Sequence, residues 1–128
     1  MEFALVLPAL VLFLLAVGQG AAAVGTYQIL DNAAREGARL AVVPGEFGNL
    51  GDVQSRVVAY AAANGITVAT SNVSVNQNLV VNPGGGACSA LNICINASRV
   101  SVSYSYPVSL LLGSTIHMGT AVEMRNLY

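Results

Sequence analysis

The first 24 residues, MEFALVLPALVLFLLAVGQGAAAV, constrain this chain more than any other stretch, because from Phe3 to Val24 only Gln19 is strongly polar. About 22 such residues at ~1.5 Å rise each cover the roughly 30 Å of a hydrocarbon core, so residues 3–24 are predicted to be a membrane span. A cleavable secretory signal would begin with cations and carry a shorter apolar block; the cationic start is missing here, so the segment is expected to stay in the mature protein. Pro8 removes one helical hydrogen bond and predicts a bend near the start of the span. Gly18 and Ala22, and Ala21 and Gly25, stand four residues apart, a spacing that admits close helix packing. Gly18, Gly20 and Gly25 also weaken the helix by up to ~1 kcal/mol each relative to Ala, which makes this cluster the expected place for local unwinding.

Past Gly25 the pattern turns amphipathic. Tyr27, Leu30, Ala34, Ala38 and Ala41 fall on one side, and Asp31, Arg35, Glu36 and Arg39 occupy the others. The helix is therefore expected to leave the membrane still helical and to run to residue 43, where Pro44 and Gly45 stop it. Asp31 and Arg35 form an i, i+4 pair with the acid first, worth ~0.3 to 0.5 kcal/mol when exposed. These four charges either solvate a helix face or, where helices pack together, form a shielded layer of mutual partners.

Residues 44–128 read as a small α+β domain. GEFGNLG, residues 45–51, is a loop, and Asp52 has the side chain of an N-cap for a second helix ending at Gly65, with Val53, Val57, Tyr60 and Ala61 as its apolar stripe. From Thr67 the period becomes two: Val73, Val75, Leu79 and Val81 share a parity interrupted by Gln77, and Val100, Val102, Tyr104 and Tyr106 alternate with serines. Ile116, Met118, Val122 and Met124 resume the alternation after a bulky connection, Leu110 to Gly113. One helix packed on an antiparallel sheet of three or four strands is the predicted architecture.

Composition narrows the function classes. A mean hydropathy of +0.65 with 9% charged residues is extreme for a free soluble monomer and calls for lipid or an assembly. All five cations are Arg, the net charge is −1, and no basic stripe exists to grip nucleic acid. Cys88 and Cys94 lie in a Gly-rich polar stretch, which suits a disulfide closing a small loop in an oxidising compartment; with one His in the chain, four N/S metal ligands cannot be assembled. His117, on the parity opposite Ile116 and Met118, is expected at the surface without a nucleophile motif around it. Gly84 to Gly86 lack the Lys and Ser/Thr of a phosphate loop, and Asn72-Val73-Ser74 and Asn96-Ala97-Ser98 are formal sequons short enough to arise by chance. The acids are too scattered to supply a general acid and base. No cofactor, small-molecule substrate or enzymatic activity is expected.

Two blocks, MEFALVLPALVLFLLAVG at the start and NAAREGARLAVV at residues 32–43, resemble the TadE-like pilins and pseudopilins, whose hallmark is a V-E-F-A-L-V-L-P span followed by an A-A-R-E-G-A-R block. SYPVSLLLG, residues 105–113, and IHMGTAVEMR, residues 116–125, are similar to the end of that family's outer domain. Family precursors carry a short basic leader ending in Gly, which is absent before Met1 here; either Met1 is the N-terminus left by a prepilin peptidase, the favoured reading, or the leader is missing from this sequence, and Glu2 lies nearer the start than the family's usual acid. The resemblance implies a subunit held in the bacterial inner membrane, then extracted by an ATPase-driven platform and polymerised with copies of itself into an extracellular filament for adhesion. Glu2 either sits at headgroup level as a solvated terminal charge or, where apolar helices bundle away from lipid, pairs with an α-amino group, its own or a neighbour's, and the resemblance implies the pairing with an incoming neighbour. The alternatives are a minor pseudopilin that primes or caps a filament of another pilin and, from a different class, a membrane-anchored envelope enzyme.

The cysteine assignment is checked by mass. The unreduced chain is expected to weigh two hydrogens less than the reduced one, and Cys88→Ser is expected to loosen the turn without unfolding the domain, because so short a loop gains less than the ~3 kcal/mol of a 15-residue one. Two free thiols would remove the assignment.

Overall fold

A single helix, α1 (Phe3–Ala41), runs from the apolar terminus into the heart of the domain, so span and fold share one rigid element. The computed structural model describes residues 3–88, 94–108 and 113–127. After α1 come a 3₁₀ turn (Pro44–Glu46), α2 (Leu50–Ala63), a second 3₁₀ turn (Thr70–Asn72), and strands β1 (Val73–Val81), β2 (Ile95–Val108) and β3 (Ser114–Arg125). The strands form one antiparallel sheet in the order β1-β2-β3. α1 packs between α2 and the inner face of this sheet, the predicted α+β arrangement with three strands.

The packed half of α1 is built from small side chains. Ala33, Ala34, Ala38 and Ala41 are fully buried, with Leu30 the one large residue beside them. Gly37 explains the closeness: a Cβ there would fall well inside the contact radius of Val57 Cγ2 on α2 and within 3.5 Å of Val100 Cγ1 on β2. Val53, Val57 and Ala61 face inward from α2, and Val73, Val100 and Val102 from the sheet, completing one core.

Gln77 stands where the strand period demands an apolar side chain, and the structure gives the reason. Its Nε2 donates to the carbonyls of Ala41 (3.1 Å) and Glu46 (3.0 Å), while its Oε1 accepts from the N–H of Gly48 (2.8 Å). One amide thereby satisfies a carbonyl left over at the end of α1 and two groups of the turn that follows. The register slips by one residue between Asn76 and Leu79, so β1 carries a bulge, and Asn76 Oδ1 accepts the N–H of Asn78 there (3.0 Å). Ser98 Oγ donates to Asn126 Oδ1 (2.7 Å), and Asn126 Nδ2 donates to the Gln77 carbonyl (3.2 Å), closing a buried polar cluster under the helix end.

Four local expectations need correction. α1 stops at Ala41 rather than residue 43, because a turn begins at Val43 and Pro44 cannot continue the helical bonding. Asp52 is not the N-cap of α2; that position is Asn49, and Asp52 lies in the first turn, where its carboxylate still meets the positive end of the helix dipole. Tyr27 is 45% exposed instead of joining the Leu30 stripe. The helix is unbroken through Gly18, Gly20 and Gly25, since each of its turns keeps its backbone bonds whether or not a side chain is present. It also runs on through Pro8. The leucines of the β2–β3 connection lie outside the described residues.

The α1–α2 contact is tested at Gly37. Gly37→Ala is expected to lower stability by about 1–3 kcal/mol through overpacking against Val57, and adding Val57→Ala is expected to return part of that loss in denaturant melts of the full chain in detergent. Costs that simply add would show that the two residues do not meet.

Candidate assembly surface

A soluble protein buries its large apolar side chains and exposes small or polar ones; α1 does the reverse along its length. From Val6 to Val17 the Val, Leu and Phe side chains are 46–64% exposed, whereas Ala33, Ala34, Gly37, Ala38 and Ala41 of the other half are buried. An exposed apolar surface this continuous marks a membrane or protein contact, and the helix is long and apolar enough to cross a membrane. Gly18, Gly20 and Gly25 have open space where a Cβ would stand, and Thr26 Oγ1 turns back to donate to the Ala22 carbonyl (3.1 Å), so the small-residue stretch offers bare backbone to a neighbour. Met1 and Glu2 lie outside the described residues.

The four helix charges are used within the subunit. Asp31 accepts from Arg35 Nε through Oδ2 (2.9 Å) and from Thr120 Oγ1 of β3 through Oδ1 (2.9 Å), so it fastens the sheet to the helix. Glu36 takes two bonds on Oε1 from Arg56 of α2 (2.7 and 3.2 Å), and its Oε2 lies 3.9 Å from Arg39. The hydrogen bond from Arg56 is the main cause holding the Glu36 carboxyl below its ordinary value of 4.5; burial works against it, and the charges of Arg56 and Arg39 add to it. What the layer presents outward is cationic: the side chains of Arg35 and Arg39 are largely exposed. The sequence order pointed to Asp31–Arg35, but Thr120 and Arg56 as partners come from residues 89 and 20 positions away, which no local pattern could supply.

The domain's outer sheet face is polar and shallow. Ser74, Ser101 and Ser103 with Gly119 and Ala121 line a trough of about 390 Å³ that is open to solvent. Arg99 pairs with Glu123 across β2 and β3 on the same face. His117 is exposed, with Nδ1 3.0 Å from Ser105 Oγ, and no carboxylate bonds to it among the described residues. Among those residues no three His, Cys, Asp or Glu side chains gather into a metal-binding group. Cys88 and Cys94 are joined as a disulfide with Cα atoms 5.9 Å apart. In the two sequons, Asn72 and Ser74 are exposed, whereas Ser98 is fully buried with its hydroxyl committed to Asn126.

Residues 1–39 match the TadE-like protein family, which is a pilus-related structural family. The match ends two residues short of the end of α1 and so covers the apolar run and most of the block containing Gly37, but neither α2 nor the strands. No curated protein and no solved structure matches the chain.

The Glu36–Arg56 link gives a pH dependence with a definite sign. Because the folded pKa lies below the ordinary one, the stability this link contributes is present above about pH 4.5 and is lost as pH falls through the folded value. Carboxyl NMR is expected to show Glu36 titrating below its ordinary value of 4.5, and Arg56→Gln is expected to move its midpoint up. An unchanged midpoint in the variant would show that Arg56 is not the cause.

Proposed function

We propose that this chain is a pilin-like structural subunit, anchored in the inner membrane by residues 3–24 and polymerised through α1 into an extracellular filament of the tight-adherence type. The observation that carries this is the division of α1: its C-terminal half is locked into the domain through small residues, and its N-terminal half is naked, apolar and longer than a bilayer core requires. The TadE-like match over that same helix supports it. In such a filament the apolar halves bundle at the centre, Gly18, Gly20, Ala22 and Gly25 permit close approach, Arg35 and Arg39 face neighbouring copies, and the sheet domain decorates the outside. A prepilin peptidase and an ATPase-driven platform are the implied machinery. Exchanging lipid for helix contact brings no hydrophobic gain by itself, so packing and charge pairing must favour assembly.

Glu2 provides the test. In an apolar filament core a processed α-ammonium and a neighbour's Glu2 carboxylate are stable only together, since leaving either unpaired costs about 3–5 kcal/mol. Glu2→Gln is expected to leave membrane insertion intact and reduce filament yield, while Asp52→Asn, an exposed acid on α2, leaves yield unchanged. Wild-type yield from Glu2→Gln at equal protein level removes the pairing role. Counting chains in purified filaments then separates a main subunit from a priming or capping one.

A further inference from the structure

The β2–β3 hairpin is longer than the domain it belongs to. β1 begins at Val73, which pairs with Val102, and Val102 pairs on its other side with Thr120; from there β2 and β3 continue alone, still paired, to Val108 and Ser114. That free extension is six residues on β3, about 20 Å at ~3.3 Å per residue.

Its direction relative to α1 is fixed at two points. Thr120 is bonded to Asp31, and Asn126 is bonded to Gln77, which in turn holds the Ala41 carbonyl. β3 therefore runs in the same sense as α1, and its free end points back toward the apolar terminus. From Asp31 to Val24, where the apolar run ends, α1 spans seven residues, only about 10 Å at ~1.5 Å each. The hairpin thus reaches past the level of Val24 and alongside the last turns of the span. Burial on α1 agrees. Gln19, Ala23 and Thr26 are partly covered and lie in helical phase with the buried Leu30, whereas Leu15, Val17 and Val24 are exposed.

We propose that the free end of the β2–β3 hairpin is a membrane-contacting element that rests in the lipid headgroup layer beside α1 before the subunit is assembled. The inference depends on the assignment of residues 3–24 as the span. Its chemistry fits the layer. The inward side carries Tyr106, the buried Val108 and Ile116, the last 48% exposed, and the outward side carries Ser105 and His117, bonded to each other. Tyr27, Tyr104 and Tyr106 supply the aromatic rings with polar ends that favour a membrane–water boundary. The partner is a bilayer surface, and the effect is to hold the sheet domain at one height and tilt instead of leaving it to swing on the helix.

The chain contains no tryptophan, so single substitutions report depth without background. Ile116→Trp, Leu12→Trp and Val80→Trp are each placed in the full chain, reconstituted in phosphatidylcholine vesicles brominated either high or low on the acyl chain. Leu12→Trp is expected to lose emission most to the deep bromines and Val80→Trp, on the far part of β1, to neither. Ile116→Trp is expected to show blue-shifted emission and to lose most to the shallow bromines. Unquenched, water-like emission from Ile116→Trp with Leu12→Trp quenched overturns the hairpin contact while the span stands. Blue-shifted but unquenched emission puts Ile116 against protein, such as a second copy, and also overturns it. If Leu12→Trp itself escapes quenching, the span assignment fails and the hairpin contact with it.

Discussion

The close approach of α2 and β2 to the Ala-Gly face of α1 is the contact on which the rest of the structure depends. With Gly37 against Val57 and Val100, and Ala33, Ala34, Ala38 and Ala41 around it, the domain is built directly onto the helix backbone and has no separate core to fall back on. This explains how so small a domain is held by valines and alanines. Thin side chains bring backbones together, and many short contacts accumulate the dispersion energy that a few large side chains would otherwise supply. It also leaves the large apolar residues to the other half of α1, where they are exposed.

The end of such a buried helix poses a second problem, since its last carbonyls must find donors where water cannot easily reach. Gln77, Ser98 and Asn126 answer it jointly, and no buried side-chain nitrogen or oxygen among the described residues is left without a partner. The bulge in β1 belongs to this arrangement. It sets two residues, Gln77 and Asn78, against Ser98 in the ladder, just where the amide must reach the end of α1. Because a half-satisfied buried network costs more than an apolar one, the three side chains fix the position of the helix end relative to the sheet more sharply than apolar packing would.

Much of this was legible in the sequence. The long N-terminal helix follows from its unbroken apolar run, the sheet from a strict period of two around Val100 and Val102, and α2 from Val53, Val57 and Ala61 at helical spacing. What failed did so for local reasons overridden by tertiary ones. Asp52 has cap chemistry, but the chain turns into α2 earlier, at Asn49, because the Pro44–Glu46 turn is tethered through Gln77. Tyr27 stands at the edge of the covered stripe, and it stays exposed although Ala23 and Thr26, nearer the apolar terminus, are partly covered. Gln77 read as a break in a strand pattern, and nothing within nine residues of β1 could reveal that its partners are the Ala41 and Glu46 carbonyls and the Gly48 amide. The same holds for Glu36, whose principal partner, Arg56, is on another helix.

These long-range ties decide how the molecule can move as a unit. Asp31–Thr120 and Glu36–Arg56 pin the sheet and α2 to α1 at separate heights, and the polar cluster under Ala41 pins them at the far end. A helix held at three levels cannot hinge within its packed half, so any displacement of the apolar half out of lipid must carry the sheet domain with it. Among the described residues the β2–β3 extension is the part of the domain that runs toward the apolar half, and Thr120 bonds it to Asp31 of α1. Lipid contact and neighbour contact would then compete for the same few turns of α1. Withdrawal from the membrane would uncover the hairpin's inner side at the moment when neighbouring helices become available to cover it.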